Sequence, residues 1–567
     1  MELRDLIHYA NDSNLDFAVL NLDWYKAFDL VPVDFIFKVL HELGFGDVFV
    51  SWIRTLYTGI ESALEINNIL SEFFPINRSV RQGCPLSMSL FIIFQEPFYR
   101  AVVASRVVRP LRLPDSTEIN ILGYADDSSL LVLDDQSLIE IYKIIINFEK
   151  ATGSKLNKTK TNIFGVGNWK NRDQWPLPWL QSEKDYLYTL GIYHNNEYNS
   201  SVEKNWNVII NKMKQHSNIL LNRRLSLYQR VAYANSCMLS KMWYTAHIYP
   251  LTESYAKEIN KIIFQYIWGG RYEPIRRSTV YRSKKEGGLG IVNSMCKSKS
   301  IMINTFLKSY THEDYKNSLM YYYCYIRLNN ILPSDYSIHN ASPVTTPYYE
   351  TVINAIQKIL HLPLFPFIPN VKIYQNMLAK EPSLVETQYP TLNWKKIWDN
   401  FLSLYITTYD KEIIYKHLHV VLATNKKLYS MNLINSSVCD KCTSGREQTP
   451  LHMFYQCQTV NEVYMWLLRV LLYICNFKPT SNIRCLYLDN TYSNRQQKNM
   501  CNIFITAYIL TIWKTRKENL RIAILKNIII NKCLNIIEII KHMPNQSVER
   551  ALGSNIQKLD TTVILGN

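Results

Sequence analysis

Four side chains late in the chain have the spacing of a metal site. Cys439-x2-Cys442-x9-His452-x4-Cys457 supplies three thiols and an imidazole. The x2 and x4 intervals make two chelating pairs, which suit tetrahedral Zn2+. The competing reading is a set of buried free thiols beside a surface histidine. A second set of candidate ligands is all oxygen. Asp23 ends the short apolar run Phe17–Asp23 (FAVLNLD), and Asp126 and Asp127 stand together much later. Carboxylates carried on two adjoining strands suit a hard cation such as Mg2+. An Asp pair in a turn is ordinarily only a turn, so the metal reading rests on the contexts, LDWYKAFD around Asp23 and GYADDSS around Asp126.

The elements that would carry these acids alternate between strand-like and helix-like patterns. FAVLNLD reads as a buried strand ending in a carboxylate. A helix is expected over Pro32–Leu43, with Asp29 as its cap and Gly44 just past its end. Phe91–Val103 and Leu138–Thr152 read as helices. Ile119–Tyr124 and Ser128–Leu133 are short β-type runs around Ala125-Asp126-Asp127, a hairpin with acids at its tip. Residues 200–300 look helical and basic. Residues 335–395 are rich in Pro, Ser and Thr and read as loops around short helices. Residues 396–436 and most of the last hundred are helical again, apart from loops near 478–496 and a polar tail. No internal repeat is visible.

Composition narrows the function classes. With 567 residues, 47% hydrophobic and 19% charged, the chain can bury sizeable cores, so wholesale disorder is excluded. Seventeen Gly and 21 Pro exclude collagen-like designs. The formal charge of +16 points to a polyanionic partner, most simply nucleic acid. That charge is uneven. Residues 1–130 hold ten Lys/Arg against seventeen Asp/Glu, and residues 200–290 hold fifteen against five, so the basic footprint follows the acidic constellation. Eleven cysteines are too sparse for a disulfide scaffold, and the N-terminus has no apolar signal core. An intracellular, reducing location and no membrane span are expected.

The acidic motifs make the chain resemble the reverse transcriptase of non-LTR (LINE-type) retrotransposons. LDWYKAFD resembles motif A, and VRQGCPLS (Val80–Ser87) resembles motif B in its LINE form. GYADD resembles motif C, with Tyr124 where LINE enzymes more often carry Phe. GSKLNKTKT (Gly153–Thr161) resembles motif D, and LYTLGI (Leu187–Ile192) motif E. YIWGG and KKEGGLGI resemble the segment after the LINE thumb. The Cys/His cluster, with Glu447 and Trp466, resembles the zinc element that follows. YILTIWKTRKE (Tyr508–Glu518) resembles a downstream Trp-x-x-Arg helix. The resemblance is densest over 15–195 and reaches nearly the whole chain.

It implies an α+β fold: a right-hand polymerase palm of antiparallel sheet and helices, then a helical thumb, a helical connector and a small zinc-binding C-terminal element. The implied boundaries are 1–195 for the palm, 196–300 for the basic thumb, 301–436 for the connector, 437–470 for the zinc element and 471–567 for a helical end. The implied activity is RNA-directed DNA synthesis, with RNA template, DNA primer or target DNA and dNTPs as partners. Two Mg2+ ions would be held by Asp23, Asp126 and Asp127. Phe28 would lie under the incoming sugar and exclude a ribose 2′-OH. Gln82 and Gly83 would approach the nascent base pair, Lys160 the pyrophosphate, and Leu190 and Gly191 would form the primer-grip turn. Zn2+ would sit on Cys439, Cys442, His452 and Cys457. Arg223, Arg224 and Arg230 with Lys212 and Lys214 would lie on thumb helices whose charge, with no individual contact singled out, neutralises template–primer phosphates, with Trp206, Tyr228, Trp243 and Tyr244 among them expected as core. The site of action would be the nucleus, with a cytoplasmic ribonucleoprotein stage.

Family members carry fingers before motif A, and many carry an endonuclease further upstream. Asp23 stands so early that the chain reads as 5′-truncated, and the alternative is an inactive remnant that only binds nucleic acid and zinc. A group II intron-type maturase is disfavoured by RQGCPLS and by the Cys/His element. A P-loop ATPase is excluded by the lack of G-x-x-x-x-G-K-[ST].

Overall fold

The computed structural model describes residues 2–221, 223–270, 272–311, 318–328, 341–362, 366–378, 381–542 and 552. The polar tail beyond 542, residue 552 apart, and parts of the Pro-rich stretch lie outside them. The chain forms two compact units. The first comprises Met1–Ile209, Trp243–Leu251 and Ser298–Ile373, and the second Ile210–Met242, Thr252–Lys297 and Tyr374–Asn567.

The first unit is built on a five-stranded sheet. Strand β1 (Phe17–Leu22) is central. On one side it pairs antiparallel with β3 (Asp127–Val132), which forms a hairpin with β2 (Ile121–Tyr124). On the other side it pairs antiparallel with β4 (Asn162–Val166), which is flanked in parallel by β5 (Gln181–Glu183). The order is therefore β5-β4-β1-β3-β2. The first four residues of FAVLNL are buried, and Phe17, Ala18 and Val19 are fully inaccessible. A strand covered on both faces reads as a continuous apolar run rather than an alternation.

Helices α1 (Glu2–Asp12), α2 (Val33–Glu42), α3 (Ser87–Ala104) and α4 (Asp135–Thr152) surround this sheet. Phe91, Phe94 and Phe98 of α3 and Ile141, Ile145 and Phe148 of α4 share one core with Ala18, Leu20 and Leu130. Burying each such large side chain stabilises the fold by roughly 1.5–3 kcal/mol. Helix α4 begins at Asp135, three residues before the expected Leu138, and ends at the expected Thr152. The Asp134 carboxylate accepts the Ser137 N–H, and Gly153 closes the helix. Helix α2 differs at its start. Its N-cap is Pro32, with no side-chain cap, and Asp29 lies in the preceding turn, so Asp29 is not the cap expected of it. Its end follows expectation. Gly44 N–H donates to His41 and Phe45 N–H to Leu40, the paired bonds of a Schellman motif.

A buried ion pair ties α1 to the short helix α5 (Trp243–Ile248). Arg4 bonds Asp5 through Nε at 2.8 Å, donates Nη1 to the Ile248 carbonyl at 2.6 Å and lies 3.7 Å over the Tyr348 ring. Tyr349 donates its hydroxyl to the other Asp5 oxygen at 2.6 Å. Trp206 is fully buried and donates to the Pro250 carbonyl. The segment 243–251 is thereby fixed within the first unit.

The second unit is helical. Among its described elements are Glu253–Trp268, Thr408–Leu418, Gln458–Cys475, Arg495–Lys514 and Ile522–Lys541. Asp410 is almost fully buried and accepts from both Lys514 and Lys532 at 2.7 Å, joining three of these helices. Among the described residues no helix is long and apolar enough to cross a membrane.

Candidate active site and metal centre

The three acids meet because of strand register. β1 and β3 pair Leu22 with Ser128, so the next residue of each strand, Asp23 and Asp127, falls at the same sheet end. β2 and β3 pair Tyr124 with Asp127 and leave Ala125-Asp126 as a two-residue turn. Ala125 adopts φ +54°, a left-handed conformation that costs a non-glycine residue about 1–2 kcal/mol. Strain is thus held in the turn that presents Asp126. The Tyr99 hydroxyl of α3 lies 2.7 Å from Ser128 Oγ and anchors the start of β3.

Asp126 and Asp127 are exposed and Asp23 is half-buried. No Lys or Arg among the described residues forms an ion pair with any of them. Partial burial, then Asp126 and Asp23, push the Asp127 carboxyl above its ordinary range. Three uncompensated carboxylates at one sheet end fit divalent cations, which relieve their mutual repulsion. The sign of the linkage follows. A carboxyl with a raised folded pKa holds its proton longer in the folded chain than in the unfolded one. Stability without metal therefore falls as pH rises from the ordinary carboxylate range through that raised value, and stays lower above it. Asp127→Asn should raise the melting temperature in EDTA at pH 7. An equal or lower value would contradict this account of the site.

Val80 N–H donates to the Phe28 carbonyl and Ser79 N–H to that of Val31, joining motif B to the loop after motif A. Phe28 is half-buried and stacks on Phe91, with centroids 4.5 Å apart. Gln82 and Gly83 form an exposed turn before α3. Gly83 has φ +88° and open space where a Cβ would be, so its backbone conformation, not crowding, requires glycine. Lys160 is exposed in the turn that begins at Asn157.

Leu190 and Gly191 connect β6 (Leu187–Thr189) and β7 (Ile192–His194) with φ +48° and +79°. Two positive values make the type I′ turn that a two-residue hairpin favours. Tyr244 of α5 donates its hydroxyl to the Leu190 carbonyl at 2.7 Å. Tyr244 is 52% exposed, so it is not the core residue expected of it. A cavity of about 620 Å³ lies between this turn and the β2–β3 hairpin, lined by Gly123, Tyr124, Asp127, Leu190 and Tyr244.

Comparison with known proteins bears on this geometry. Residues 1–192 match the family model described as reverse transcriptase (RNA-dependent DNA polymerase). They form a reverse transcriptase domain. The transposon TX1 uncharacterized 149 kDa protein of Xenopus laevis is 28% identical over 298 residues, 51% of this chain and 22% of that protein. The retrovirus-related Pol polyprotein from type-2 retrotransposable element R2DM of Drosophila melanogaster is 28% identical over 151 residues, 26% of this chain and 14% of that protein. The chain thus spans less than a quarter of the length of these relatives. A solved telomerase from Candida albicans with a fragment of telomeric RNA aligns over 55% of this chain and 51% of its own, at 11% identity and a TM-score of 0.25. That likeness is too low to carry an argument.

Outside the reverse transcriptase domain, the second unit holds the Cys/His cluster. One ligand atom each from Cys439, Cys442, His452 and Cys457 lie within 4.8 Å of one another. Cys439 and Cys457 Sγ are 4.0 Å apart, and His452 Nε2 is 3.4 Å from Cys442 Sγ. The backbone forms a knuckle. Cys439 N–H donates to the Arg446 carbonyl, and Lys441 N–H points at Cys439 Sγ. Glu447 bonds Lys426 and the Ser437 hydroxyl, and Trp466 is fully buried on the helix that Cys457 caps. Burial pushes the Cys442 thiol up, but hydrogen bonds from Ser444 and His452 outweigh it and bring it to about 6. Burial and the neighbouring thiols push Cys457 up to about 11. Three thiols and an imidazole at this spacing can hold one soft or borderline metal ion.

The basic residues divide into different roles. Arg223 and Arg224 are exposed, as is Lys212. Arg230 instead donates to the Ile267 carbonyl at the end of Glu253–Trp268, so it closes a helix. Lys214 pairs with Glu258 at 2.8 Å. Trp513 and Arg516 stack, the guanidinium 3.7 Å over the ring.

Two contacts of the site have no local signal in the sequence. Asn157 donates to an Asp23 carboxylate oxygen, and Tyr244 holds the Leu190 carbonyl. Asn157 lies within the motif D segment Gly153–Thr161, and Tyr244 stands where a core residue was expected.

Proposed function

We propose that this chain is an RNA-directed DNA polymerase of a LINE-type retrotransposon. Its template is RNA, its primer the 3′ end of a DNA strand, and its substrates dNTPs. The observation that carries the reading is the convergence of Asp23, Asp126 and Asp127 at one end of the sheet, within the reverse transcriptase domain. Divalent cations bound there, most simply two Mg2+, would acidify the attacking 3′-hydroxyl and neutralise charge on the leaving pyrophosphate. The chain's own residues then position the reactants. The hairpin turn at Leu190 and Gly191, held by Tyr244, supports the primer terminus beside the cavity. Gln82 and Gly83 face the nascent pair, and Lys160 is within the turn that follows the acids. Phe28 fills the space beneath the sugar. Arg223, Arg224 and Lys212 supply phosphate contacts. Zn2+ is the ion proposed for the Cys/His cluster, where it orders a small segment that lacks a core of its own. Priming from a nicked chromosomal end places the reaction in the nucleus, after a cytoplasmic ribonucleoprotein stage.

Single-nucleotide incorporation on poly(rA) primed with oligo(dT) tests this reading. dTTP should be incorporated in Mg2+ and UTP strongly rejected. Phe28→Val should relax that rejection, on the order of 10- to 200-fold in the ratio of kcat/KM values, the range that a small change in an apolar pocket produces. Unchanged discrimination would return Phe28 to a purely packing role against Phe91.

A further inference from the structure

The loop between α4 and β4 grips the strand end that carries Asp23. Asp23 N–H donates to Thr161 Oγ1 at 3.2 Å, and Asn157 N–H donates to the Asp23 carbonyl at 2.8 Å. Tyr25 N–H donates to the Lys155 carbonyl, and Trp24 bridges Leu156. The loop is tied to α4, because Leu156 N–H donates to the Glu149 carboxylate at 2.6 Å. Within this frame Asn157 Nδ2 donates to Asp23 Oδ2 at 2.8 Å. The orientation of that amide is not arbitrary. Asn157 Oδ1 accepts the Thr159 hydroxyl at 2.8 Å, which leaves the NH2 end for Asp23.

We propose that Asn157 is a positioning residue that holds one oxygen of Asp23 and so reserves Oδ1 for a divalent cation, with Thr159 locking the amide. The inference rests on the three acids being the cation ligands. The chemistry favours an amide at this place. Oδ2 would otherwise swing freely or take a cation of its own. A lysine or arginine would satisfy it, but its charge would compete with the metal for the same carboxylate. A neutral donor orients the ligand and leaves its charge intact, as outer partners of metal ligands do.

The test uses the full-length, zinc-loaded chain and Mn2+ as probe, its binding followed by electron paramagnetic resonance, with melting temperature measured alongside. The variants are Asn157→Ala, Thr159→Val and the double variant Asp126→Asn/Asp127→Asn. Asn157→Ala should weaken Mn2+ binding on the order of 10- to 100-fold, the usual effect of losing an outer partner. Thr159→Val should weaken it in the same direction, because the freed amide can turn its oxygen toward Asp23. Thr159→Val leaves the backbone bonds to Asp23 in place, so it decides the matter if Asn157→Ala does not fold. Wild-type affinity in either folded variant overturns the proposal. A wild type that binds no more Mn2+ than the double variant overturns the three-acid reading and removes the proposal with it. Binding lost in the double variant but intact in Asn157→Ala refutes only the role of Asn157.

Discussion

Asp126→Asn/Asp127→Asn should abolish RNA-templated primer extension while leaving the fold intact. Both side chains are exposed at a hairpin tip, and neither is paired with a cation among the described residues. Their removal costs little packing. It also relieves repulsion, since burial and the neighbouring acids already hold the Asp127 carboxyl above its usual range. The variant should therefore melt at or above the wild-type temperature in EDTA. The catalytic loss has the opposite sign and is large. Removing an outer partner of a metal ligand typically costs 10–100-fold, so removing two direct ligands should exceed about 10²-fold. Extension rates and melting curves on one preparation read both effects. A variant that extends at the wild-type rate, or one that unfolds, would contradict the account.

Cys442→Ser should abolish the zinc binding proposed for the second unit and open the segment around it. Among the four ligands, Cys442 is the least buried, and Cys439, His452 and Cys457 are all inside. Its replacement thus removes a ligand with little loss of packing, whereas Cys457→Ser would also damage the start of the helix Gln458–Cys475. Zinc binding in small modules contributes roughly 10–16 kcal/mol, comparable with the whole stability of a domain. Without a metal the knuckle is held by scattered backbone and polar contacts, among them the Lys426–Glu447 pair and Lys441, whose ammonium reaches the Glu518 carbonyl and Asn519 Oδ1 at 2.8 Å. Metal analysis should find the bound zinc lost, and trypsin should cut at Lys441 and Arg446 in the variant but not in the zinc-loaded wild type. Bound zinc and protection both unchanged in the variant would contradict a structural metal here.

Local chemistry made some of this architecture readable. FAVLNL announces a strand covered on both faces, and the turn around Ala125-Asp126 lies between two short β-type runs. Asp134 and Gly153 bound α4 with side-chain and backbone preferences that act within a few residues. The metal cluster is legible because each chelating pair is close in sequence. Asn157 and Tyr244 show where such reading stops. The first meets Asp23 across 134 residues, and the second meets the Leu190 carbonyl across 54. Neither partner leaves a local pattern, since one is a carboxylate already assigned a role and the other is main chain. The contact of Arg230 with the Ile267 carbonyl is equally silent in the sequence, because its partner is main chain 37 residues away. Nor does any local pattern announce that residues 298–373 pack with the sheet-bearing unit, because that depends on contacts such as Tyr349 with Asp5.

The central claim is that this chain copies RNA into DNA. The most direct measurement is extension of a labelled DNA primer on an RNA template by the purified chain, with dNTPs and Mg2+. The account predicts template-dependent extension that EDTA stops and that Asp126→Asn/Asp127→Asn does not support. No extension by the wild-type chain, or extension that the double variant retains, would contradict it.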